Sequence, residues 1–266
     1  MPDHNAQADE TAGAPGVAVV GMGGRLAKLL PATVSLPVRA YVGNSREAEL
    51  SVLERFVAPG ATVVDIGAHK GIYTYWLRRR VGKLGTVLAY EPQPEMFRYL
   101  RAGLSSRWYR NVALSQAALS DRAGNARLHI PVVAGAEQIA WASLEVGTEA
   151  GSKGVDVTVR TARLDDEIGD RPVSFVKCDV EGHELRVLSG SPRLLAEQRP
   201  VWLVEVEHRH AGAAVSQVLT TFSDAGYAPW FLASSGDLIP VPKGLGPEHL
   251  NGVEPGRYVN NFFFLP

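Results

Sequence analysis

Short apolar runs rich in β-branched residues alternate with segments of helical periodicity, and this alternation limits the possible folds more than any other feature. Strands separated by helices favour a parallel sheet, because each crossover helix covers one face and returns the chain to the same edge. We therefore predict a doubly wound α/β sheet with helices on both faces. The predicted strands are 62–66, 86–90, 111–119, 126–130, 173–179, 200–206, 227–232 and 258–265, and the predicted helices are 47–56, 73–81, 95–104, 184–189 and 213–225.

The length of 266 residues favours one α/β domain with extensions. Residues 1–16 are polar, rich in Ala and Gly, and lack periodicity, so we expect a disordered lead-in. Residues 17–46 are predicted to form an N-terminal extension or lid, and residues 47–266 the main domain. Residues 132–156 are rich in glycine and interrupt the alternation, which predicts a flexible insertion near the ligand-binding edge.

Charge and cysteine content exclude several classes of protein. The formal net charge of −1 does not support a field that grips a phosphate backbone, so we expect no nucleic-acid partner. The single cysteine, Cys178, excludes an intrachain disulfide and a multi-cysteine metal site. No apolar run approaches the roughly 20 residues that span a bilayer, so no membrane partner is expected. Residues 1–10 carry acids where a secretory signal has a basic region, which predicts a cytoplasmic location.

The ends of the first two predicted strands carry the pattern of a nucleoside-binding site. Asp65 ends the first strand, and Gly67 and Gly71 follow it in a loop that leads into a helix. Glycines there let the backbone approach a ligand closely, and the helix presents its N-terminal N–H groups. Glu91 ends the second strand, where an acid can accept hydrogen bonds from ribose hydroxyls. The combination favours an adenosine-type cofactor.

The charge of the loop distinguishes between cofactors. Pyrophosphate sites commonly use G-x-G-x-x-G, whereas this loop begins with Asp65 and has His69 where a second glycine would lie. An acid repels a pyrophosphate and attracts a cation. S-adenosylmethionine, with its sulfonium and ammonium groups, is therefore favoured over NAD. An NAD-linked oxidoreductase and a cofactor-binding module without catalysis are the alternatives.

Five segments, in this order and spacing, resemble the FkbM family of S-adenosylmethionine-dependent methyltransferases. They are VVDIGAHKGIYTYWL (63–77), AYEPQPEMFRYL (89–100), NVALSQAALSDRAG (111–124), RLDDE (163–167) and FVKCDVEGHELRVL (175–188). The resemblance spans about Glu47 to Pro266. It implies a class I, Rossmann-like methyltransferase domain, with a seven-stranded, mostly parallel sheet whose last strand is antiparallel.

The resemblance also implies roles for individual residues. The family's loop commonly has Asn where this chain has His69, which changes the contacts expected there. The first strand end and loop, the ribose-binding acid, the adenine-contacting segment and the acidic motif of the fourth strand together give the expected cofactor site. Its residues are Asp65, Gly67, Ala68, His69, Gly71, Tyr73, Thr74, Glu91, Pro92, Gln116, Ala117, Ala118, Asp179, Val180 and Glu181.

Candidates for catalysis lie after the fourth and fifth predicted strands. Asp179 is the first choice for the reaction centre, with N-capping of the next helix as its structural alternative. His183 suits a general base near neutral pH, unless it lies on the solvent side of that helix. Glu207 and His208 follow the fifth strand and suit proton removal or substrate contact.

A divalent cation is the less favoured alternative at the same strand ends. Asp179 with Glu205 or Glu207 would supply the oxygen ligands that Mg²⁺ prefers. Protonic or structural roles for these acids are preferred, and no metal is expected.

The predicted activity is methylation of a hydroxyl on a small molecule, such as a sugar or a natural product. In-line transfer requires an aligned nucleophile, exclusion of water and removal of the hydroxyl proton. The sequence leaves open the identity of the acceptor, the choice between O- and N-methylation, and the oligomeric state. It is compatible with a homo-oligomer.

Overall fold

The structure is a computed structural model, and it describes residues 30–44, 47–133, 136–137, 144, 154–206, 212–242 and 259–266. The helices are α1 (Ala32–Asn44), α2 (Ile72–Val81), α3 (Pro94–Gly103), α4 (Leu164–Ile168), α5 (Glu184–Ser189) and α6 (Gly212–Asp224), with 3₁₀ helices at Ala48–Arg55 and Arg107–Tyr109 and a π-helical turn at Leu194–Gln198. The strands are β1 (Thr62–Ile66), β2 (Thr86–Tyr90), β3 (Val112–Ser115), β4 (Ala118–Leu119), β5 (Gly124–Val133), β6 (Ala136–Glu137), β7 (Gly154–Ala162), β8 (Val173–Cys178), β9 (Val201–Glu205), β10 (Ala228–Leu232), β11 (Leu238–Pro240) and β12 (Asn261–Leu265).

The main sheet has the strand order β11-β10-β12-β9-β8-β1-β2-β3. Strands β3, β2, β1, β8 and β9 are parallel, and β12 lies antiparallel between β9 and β10. The predicted parallel, doubly wound sheet with an antiparallel last strand is confirmed. The described sheet has eight strands instead of seven, because Leu238–Pro240 turns back along β10 and adds an antiparallel strand at the edge.

A second, smaller sheet has the order β4-β7-β5-β6. The predicted strand 111–119 is wrong as one element, since β3 joins the main sheet and β4 pairs with β7 in the second. The predicted strand 126–130 is the middle of β5, which pairs antiparallel with β7. Both ends of the predicted insertion 132–156 therefore lie in strands, and the alternation of Val157, Val159 and Thr161 turns those side chains inward.

The predicted extension 17–46 ends in helix α1, which packs against α2 and α3. Leu36 and Ala40 are fully buried in this contact, and the Ser35 hydroxyl lies 3.0 Å from the hydroxyl of Tyr99. Residues 1–29 lie outside the described residues, which include the predicted lead-in 1–16. The predicted helix 47–56 is a 3₁₀ helix, anchored by Val52 and Leu53.

The core lies on both faces of the main sheet, as the sequence of its last strand illustrates. Phe262 and Phe264 pack on one face with Trp202 and Phe222, and Phe263 packs on the other. Successive side chains of a strand point to opposite faces, so one aromatic run anchors both layers. Among the described residues, no helix combines the length and the apolar character needed to cross a bilayer.

Candidate active site

A cavity of about 240 Å³ opens at the carboxyl ends of the parallel strands. The loops after β1, β2 and β8 form its floor, and the second sheet contributes an apolar wall. This is the edge at which open parallel sheets bind ligands. The lining residues are Glu47, Ile66, Gly67, His69, Glu91, Pro92, Gln93, Ala117, Ala118, Leu119, Leu128, Leu144, Asp179, Val180, Glu181, His183 and Glu205.

The loop after β1 depends on Gly67, where the chain passes the end of β8. Gly67 has a φ of 79°, and a Cβ atom there would lie 1.9 Å from the carbonyl oxygen of Asp179. The N–H groups of Gly67 and Ala68 both donate to the carbonyl of Tyr90, at 3.0 Å. Glycine is required because a side chain would collide with backbone. The loop thus draws the ends of β1, β2 and β8 together around the cavity.

Glu91 is a buried carboxylate at the end of β2. Its Oε2 accepts a hydrogen bond from the N–H of His69 at 2.7 Å, and its Oε1 accepts one from the N–H of Gln93 at 2.8 Å. Burial raises the pKa of Glu91 to about 7, although both N–H groups act to lower it. Each carboxylate oxygen has two acceptor positions, so both retain one for a ligand donor.

His69 has an unusual backbone and an unpaired side chain. Its φ is 46°, and its Nε2 is buried at the cavity without a hydrogen-bond partner. Burial, with the nearby charge of Lys70, lowers the pKa of His69 to about 4, so the ring is neutral at physiological pH. A neutral imidazole nitrogen that faces a cavity can bond a polar ligand atom.

Lys177 is a buried counter-charge behind the acidic residues of the cavity and does not itself line it. Its side chain is 1% exposed, and its Nζ lies 3.9 Å from Oδ2 of Asp179 and 3.7 Å from Oε2 of Glu205. The ammonium also lies 5.0 Å from the ring centre of Tyr73, whose hydroxyl donates to Glu47. Burial alone lowers the pKa of Lys177, but the surrounding carboxylates outweigh it and raise the pKa above its ordinary value.

Three carboxylates, those of Glu47, Asp179 and Glu205, surround the single ammonium of Lys177. The pKa values of Glu47 and Glu205 are raised there. Burial is the largest cause that raises the pKa of Glu205 to about 8, and Asp179 and Glu47 add to it. Burial likewise raises the pKa of Glu47. Glu205 also accepts a hydrogen bond from the amide of Asn260 at 2.9 Å. A carboxylate with a pKa near neutral is suited to accept a proton.

His183 lines the cavity and is buried, so the alternative of a solvent-side position is wrong. Its Nε2 lies 3.0 Å from Oγ of Ser120. The Ser120 hydroxyl in turn lies 3.0 Å from Asp121, which pairs with Arg186. A general-base role for His183 stays a prediction.

Several residues expected in the cofactor site are absent from the cavity lining. Asp65 is buried beneath the loop, where its Oδ2 accepts a hydrogen bond from the Thr74 hydroxyl at 2.5 Å, and burial raises its pKa to about 6. Gly71 faces Leu100, Tyr73 faces Lys177 and Glu47, and Gln116 does not line the cavity. Asp65 and Thr74 therefore support the loop from below.

The cavity brings together most of the other predicted residues. They are Gly67, His69, Glu91, Pro92, Ala117, Ala118, Asp179, Val180, Glu181 and His183. Glu207 and His208 lie outside the described residues. The N–H of Asp179 donates to the carbonyl of Ile66 at 3.0 Å, which fixes the start of its loop.

The weak metal site considered at Asp179 and Glu205 is not supported by the arrangement there. The Lys177 ammonium lies within 4 Å of both carboxylates and already supplies a cation to them. Glu207, the third residue considered for this site, lies outside the described residues. In the described part of the chain, no group of three or more His, Cys, Asp or Glu side chains is placed to hold a metal ion.

Sequence reasoning missed Glu47 and Lys177 as site residues. Glu47 precedes β1 by fifteen positions, and no local pattern indicates that its chain returns over the strand ends. Lys177 carried a signal, because a lysine in the apolar run 173–178 must be buried with counter-charges. The apolar wall of Leu119, Leu128 and Leu144 depends on the unpredicted second sheet.

Comparison with known proteins places these features in a family. The model of the methyltransferase FkbM domain matches residues 65–229. That range contains the loop after β1, Glu91, Lys177, Asp179 and Glu205. A search of curated proteins gave no match.

Solved structures with similar folds include two methyltransferases and a fibrillarin. An FkbM methyltransferase from Methylobacillus flagellatus KT has 16% identity and a TM-score of 0.48, covering 93% of this chain and 59% of that one. A SAM-dependent methyltransferase from Aquifex aeolicus has 20% identity and a TM-score of 0.42, covering 71% and 85%. Aeropyrum pernix fibrillarin with bound S-adenosyl-L-methionine has 12% identity and a TM-score of 0.45, covering 82% and 73%.

This chain spans 59% of the length of the Methylobacillus protein. The family model, by contrast, matches more than half of the 266 residues, and the sheet has the mostly parallel order with one inserted antiparallel strand. The chain therefore has the class I methyltransferase fold and belongs to the FkbM methyltransferase family.

Proposed function

We propose that this chain transfers a methyl group from S-adenosylmethionine to a hydroxyl of a small molecule. The observation that carries the proposal is the buried Glu91 carboxylate, oriented by the N–H groups of His69 and Gln93 at the end of β2. Such a carboxylate suits the paired hydroxyls of a ribose.

The remaining lining fits the other parts of this cofactor. Ala117, Ala118 and Leu119 offer an apolar surface for a planar base. The unpaired Nε2 of His69 offers a partner for a polar ligand atom. The carboxylates of Asp179 and Glu181 provide the negative potential that a cationic methionine end requires.

The chemistry divides between the cofactor and the protein. S-adenosylmethionine supplies, when bound, a methyl group activated by a sulfonium. The chain must then orient the acceptor and take its proton. Glu205 and Asp179 flank the same region of the cavity, and the raised pKa of Glu205 suits it to accept that proton. Lys177 keeps the carboxylates in place, since its ammonium lies within 4 Å of both. His183, Glu207 and His208 remain candidates for substrate contact.

The acidic end of the cavity supports a hydroxylated acceptor, such as a sugar or a hydroxylated natural product. Carboxylates accept hydrogen bonds from hydroxyl groups, and Glu47, Asp179 and Glu205 converge there. Leu128 and Leu144 line the same cavity and suit an apolar part of the acceptor.

Calorimetric titration and thermal denaturation test cofactor binding first, and a methyl-transfer assay then tests the activity. We expect S-adenosylmethionine and its demethylated product to bind and raise the Tm, and NAD to do neither. Transfer of a labelled methyl group is then measured against a panel of sugars and hydroxylated natural-product cores, with their amino analogues. Binding of NAD alone would contradict the cofactor assignment, and methylation of the amino analogues alone would contradict hydroxyl specificity.

A pair of variants tests the role of Glu205 once an acceptor is found. Glu205→Gln should lower kcat by on the order of 100-fold and remove the pH dependence near 8, because no carboxylate remains to take the proton. Glu197→Gln is the control, since Glu197 is exposed and outside the cavity lining. Unchanged kcat in Glu205→Gln would assign the proton to another group.

A further inference from the structure

A second cavity lies at the amino ends of the parallel strands, on the side of the main sheet opposite to the active site. It has a volume of about 560 Å³ and is lined by Arg78, Lys83, Arg107, Trp108, Arg110 and Asn111. Lys83 precedes β2 and Arg110 precedes β3, so this cavity is at the amino ends of these strands. The active-site residues follow the carboxyl ends. The second cavity is therefore a separate feature.

The surface around this cavity carries a concentration of positive charge, although the whole chain has a formal net charge of −1. Residues 78–110 include eight Lys or Arg and only two acids, of which Glu91 is buried at the other edge. We name the basic edge as Arg78, Arg79, Lys83, Arg107 and Arg110. Arg80 beside it pairs with Glu54, but within the described residues no acid pairs with a member of the basic edge.

Two large apolar side chains project from the same surface. Leu84 is 93% exposed in the turn between α2 and β2, and Trp108 is 59% exposed in the 3₁₀ helix before β3. The amide of Asn111 donates to the carbonyl of Gly82 at 2.7 Å, which ties these two loops together. Arg107 lies 5.2 Å from the ring centre of Trp108. The loops thus present leucine and tryptophan among cations that have no acidic partner in the described part of the chain.

From this arrangement we propose that the basic edge docks the protein on the surface of an anionic lipid membrane. Lysine and arginine are attracted to anionic headgroups, and tryptophan is favoured at the boundary between headgroups and acyl chains. The exposed Leu84 favours lipid over single-stranded nucleic acid, because bases stack on aromatic rings and gain little from an aliphatic tip. The chain would lie on the membrane without spanning it, with the active-site edge facing water.

Co-sedimentation with vesicles tests the charge component. The full chain should sediment with phosphatidylcholine vesicles that contain about one quarter phosphatidylserine, less so as salt rises, and not with phosphatidylcholine alone. Lys83→Ala with Arg107→Ala should weaken this binding by roughly 30-fold, since each lost cation near such a surface costs about fivefold. Arg122→Ala with Arg127→Ala is the matched control, because both residues are exposed outside the basic edge.

A second variant tests the apolar component without changing charge. Leu84→Ser should weaken vesicle binding by about tenfold or more, through loss of buried apolar area. Ile239→Ser is its control, since Ile239 is exposed on the edge strand β11. S-adenosylmethionine binding should be unchanged in all four variants, which separates this proposal from the proposed activity and reports that each variant folds.

Equal vesicle binding by wild-type chain and the Lys83→Ala, Arg107→Ala variant would overturn the proposal, as would an absence of binding. A labelled single-stranded RNA of about 12 nucleotides is the competing probe. If this RNA binds in a Trp108-dependent manner and the vesicles do not, the basic edge is a nucleic-acid surface instead.

Discussion

Glu91 disfavours folding because its carboxylate is buried, and yet the same carboxylate is positioned to bind a ligand. Its carboxylate is buried, and burial opposes its charge, as the pKa of about 7 records. The N–H groups of His69 and Gln93 offset part of this cost and fix the direction of both oxygens. A group that is held in place before the ligand arrives loses little entropy on binding.

Replacement of Glu91 by glutamine should therefore weaken S-adenosylmethionine binding by about 10- to 100-fold, the range for a lost hydrogen bond to a charged group. The amide also turns an N–H group toward one of the two backbone N–H donors, which disrupts the loop. Isothermal titration measures the change, with Glu197→Gln as the control for an exposed glutamate. Equal Kd values in Glu91→Gln and the wild-type chain would rule out the ribose assignment.

Single residues were predictable where chemistry and chain position agree. Gly67, Glu91 and Asp179 follow strand ends, so the sequence places all three at one edge of the sheet. Tyr73 and Thr74, both expected in the cofactor site, do not line the cavity, and the start of a helix does not reveal which of its faces meets a ligand. Their side chains turn toward Lys177 and Asp65 instead. The place of Glu47 in the cavity could not be predicted from sequence, because it depends on how the segment before β1 folds back over the strand ends.

At the scale of elements, the parallel strands were predictable and the second sheet was not. Buried runs bounded by helices identify β1, β2, β8 and β9. The β5–β7 pair joins segments separated by the glycine-rich residues 134–153, and sequence gives no measure of such long-range pairing. The alternation of Val155, Val157 and Val159 was present as a signal, but glycines beside it favoured an irregular segment.

The close approach of the loops after β1 and β8 should be sensitive to a single methyl group at Gly67. Gly67→Ala places Cβ against the Asp179 carbonyl and adds strain from a positive φ. We expect a loss of more than about 4 kcal/mol in the free energy of unfolding, the range for severe core disruption. Urea denaturation measures it. Gly60→Ala is a matched control, because Gly60 has a φ of 84° and open space around its Cβ position; it should lose about 1 to 2 kcal/mol. Equal losses in both variants would remove the argument for close backbone approach.

Helix α1 should contribute to stability as a packed element of the domain. Leu36 is fully buried, and its side chain lies against Gly71 and Gly103, where a Cβ atom would come within 3.4 and 2.8 Å of its Cδ1. Leu36→Ala should lower the free energy of unfolding by about 2 to 5 kcal/mol through the cavity it leaves. Val34→Ala, at an exposed position of the same helix, should change it by less than about 0.5 kcal/mol. A helix that acts as a detached lid would make both variants neutral.

Across the whole molecule, charge is segregated between the two edges of the main sheet. Acids converge at the carboxyl ends of the strands, where Lys177 is their buried counter-charge, and cations collect at the amino ends of β2 and β3. The balanced total therefore conceals two strong local fields. The sequence predicted the acidic edge from its strand ends, but the basic edge depends on how two turns meet.

The acidic edge should make the stability of the ligand-free protein fall as pH rises from about 5 to 8. Burial raises the pKa of five carboxyls above their ordinary values of 3.8 for Asp and 4.5 for Glu: Asp65 to about 6, Glu91 and Glu184 to about 7, Glu205 to about 8, and Glu47 in the same direction. Each binds its proton more tightly in the folded chain, so its stabilising contribution is full below the unfolded pKa and is lost as pH passes the folded pKa. The raised pKa of Lys177 acts only above 10.5 and leaves this window unchanged. The lowered pKa of His69, about 4 against an ordinary 6.5, adds stability as pH rises toward 6.5, so this one group offsets part of the loss from the carboxyls below that pH.

Thermal denaturation at pH 5, 6, 7 and 8 measures this effect, and we expect Tm to fall by on the order of 5 to 10 °C across the series. Glu91→Gln removes one of the titrating groups, so its Tm should fall less steeply than that of the wild-type chain. Glu197→Gln should keep the wild-type slope, because Glu197 is exposed. A Tm that rises toward pH 8 would mean that these carboxyls are charged in the folded protein without cost, which the burial of Asp65, Glu91 and Glu184 argues against.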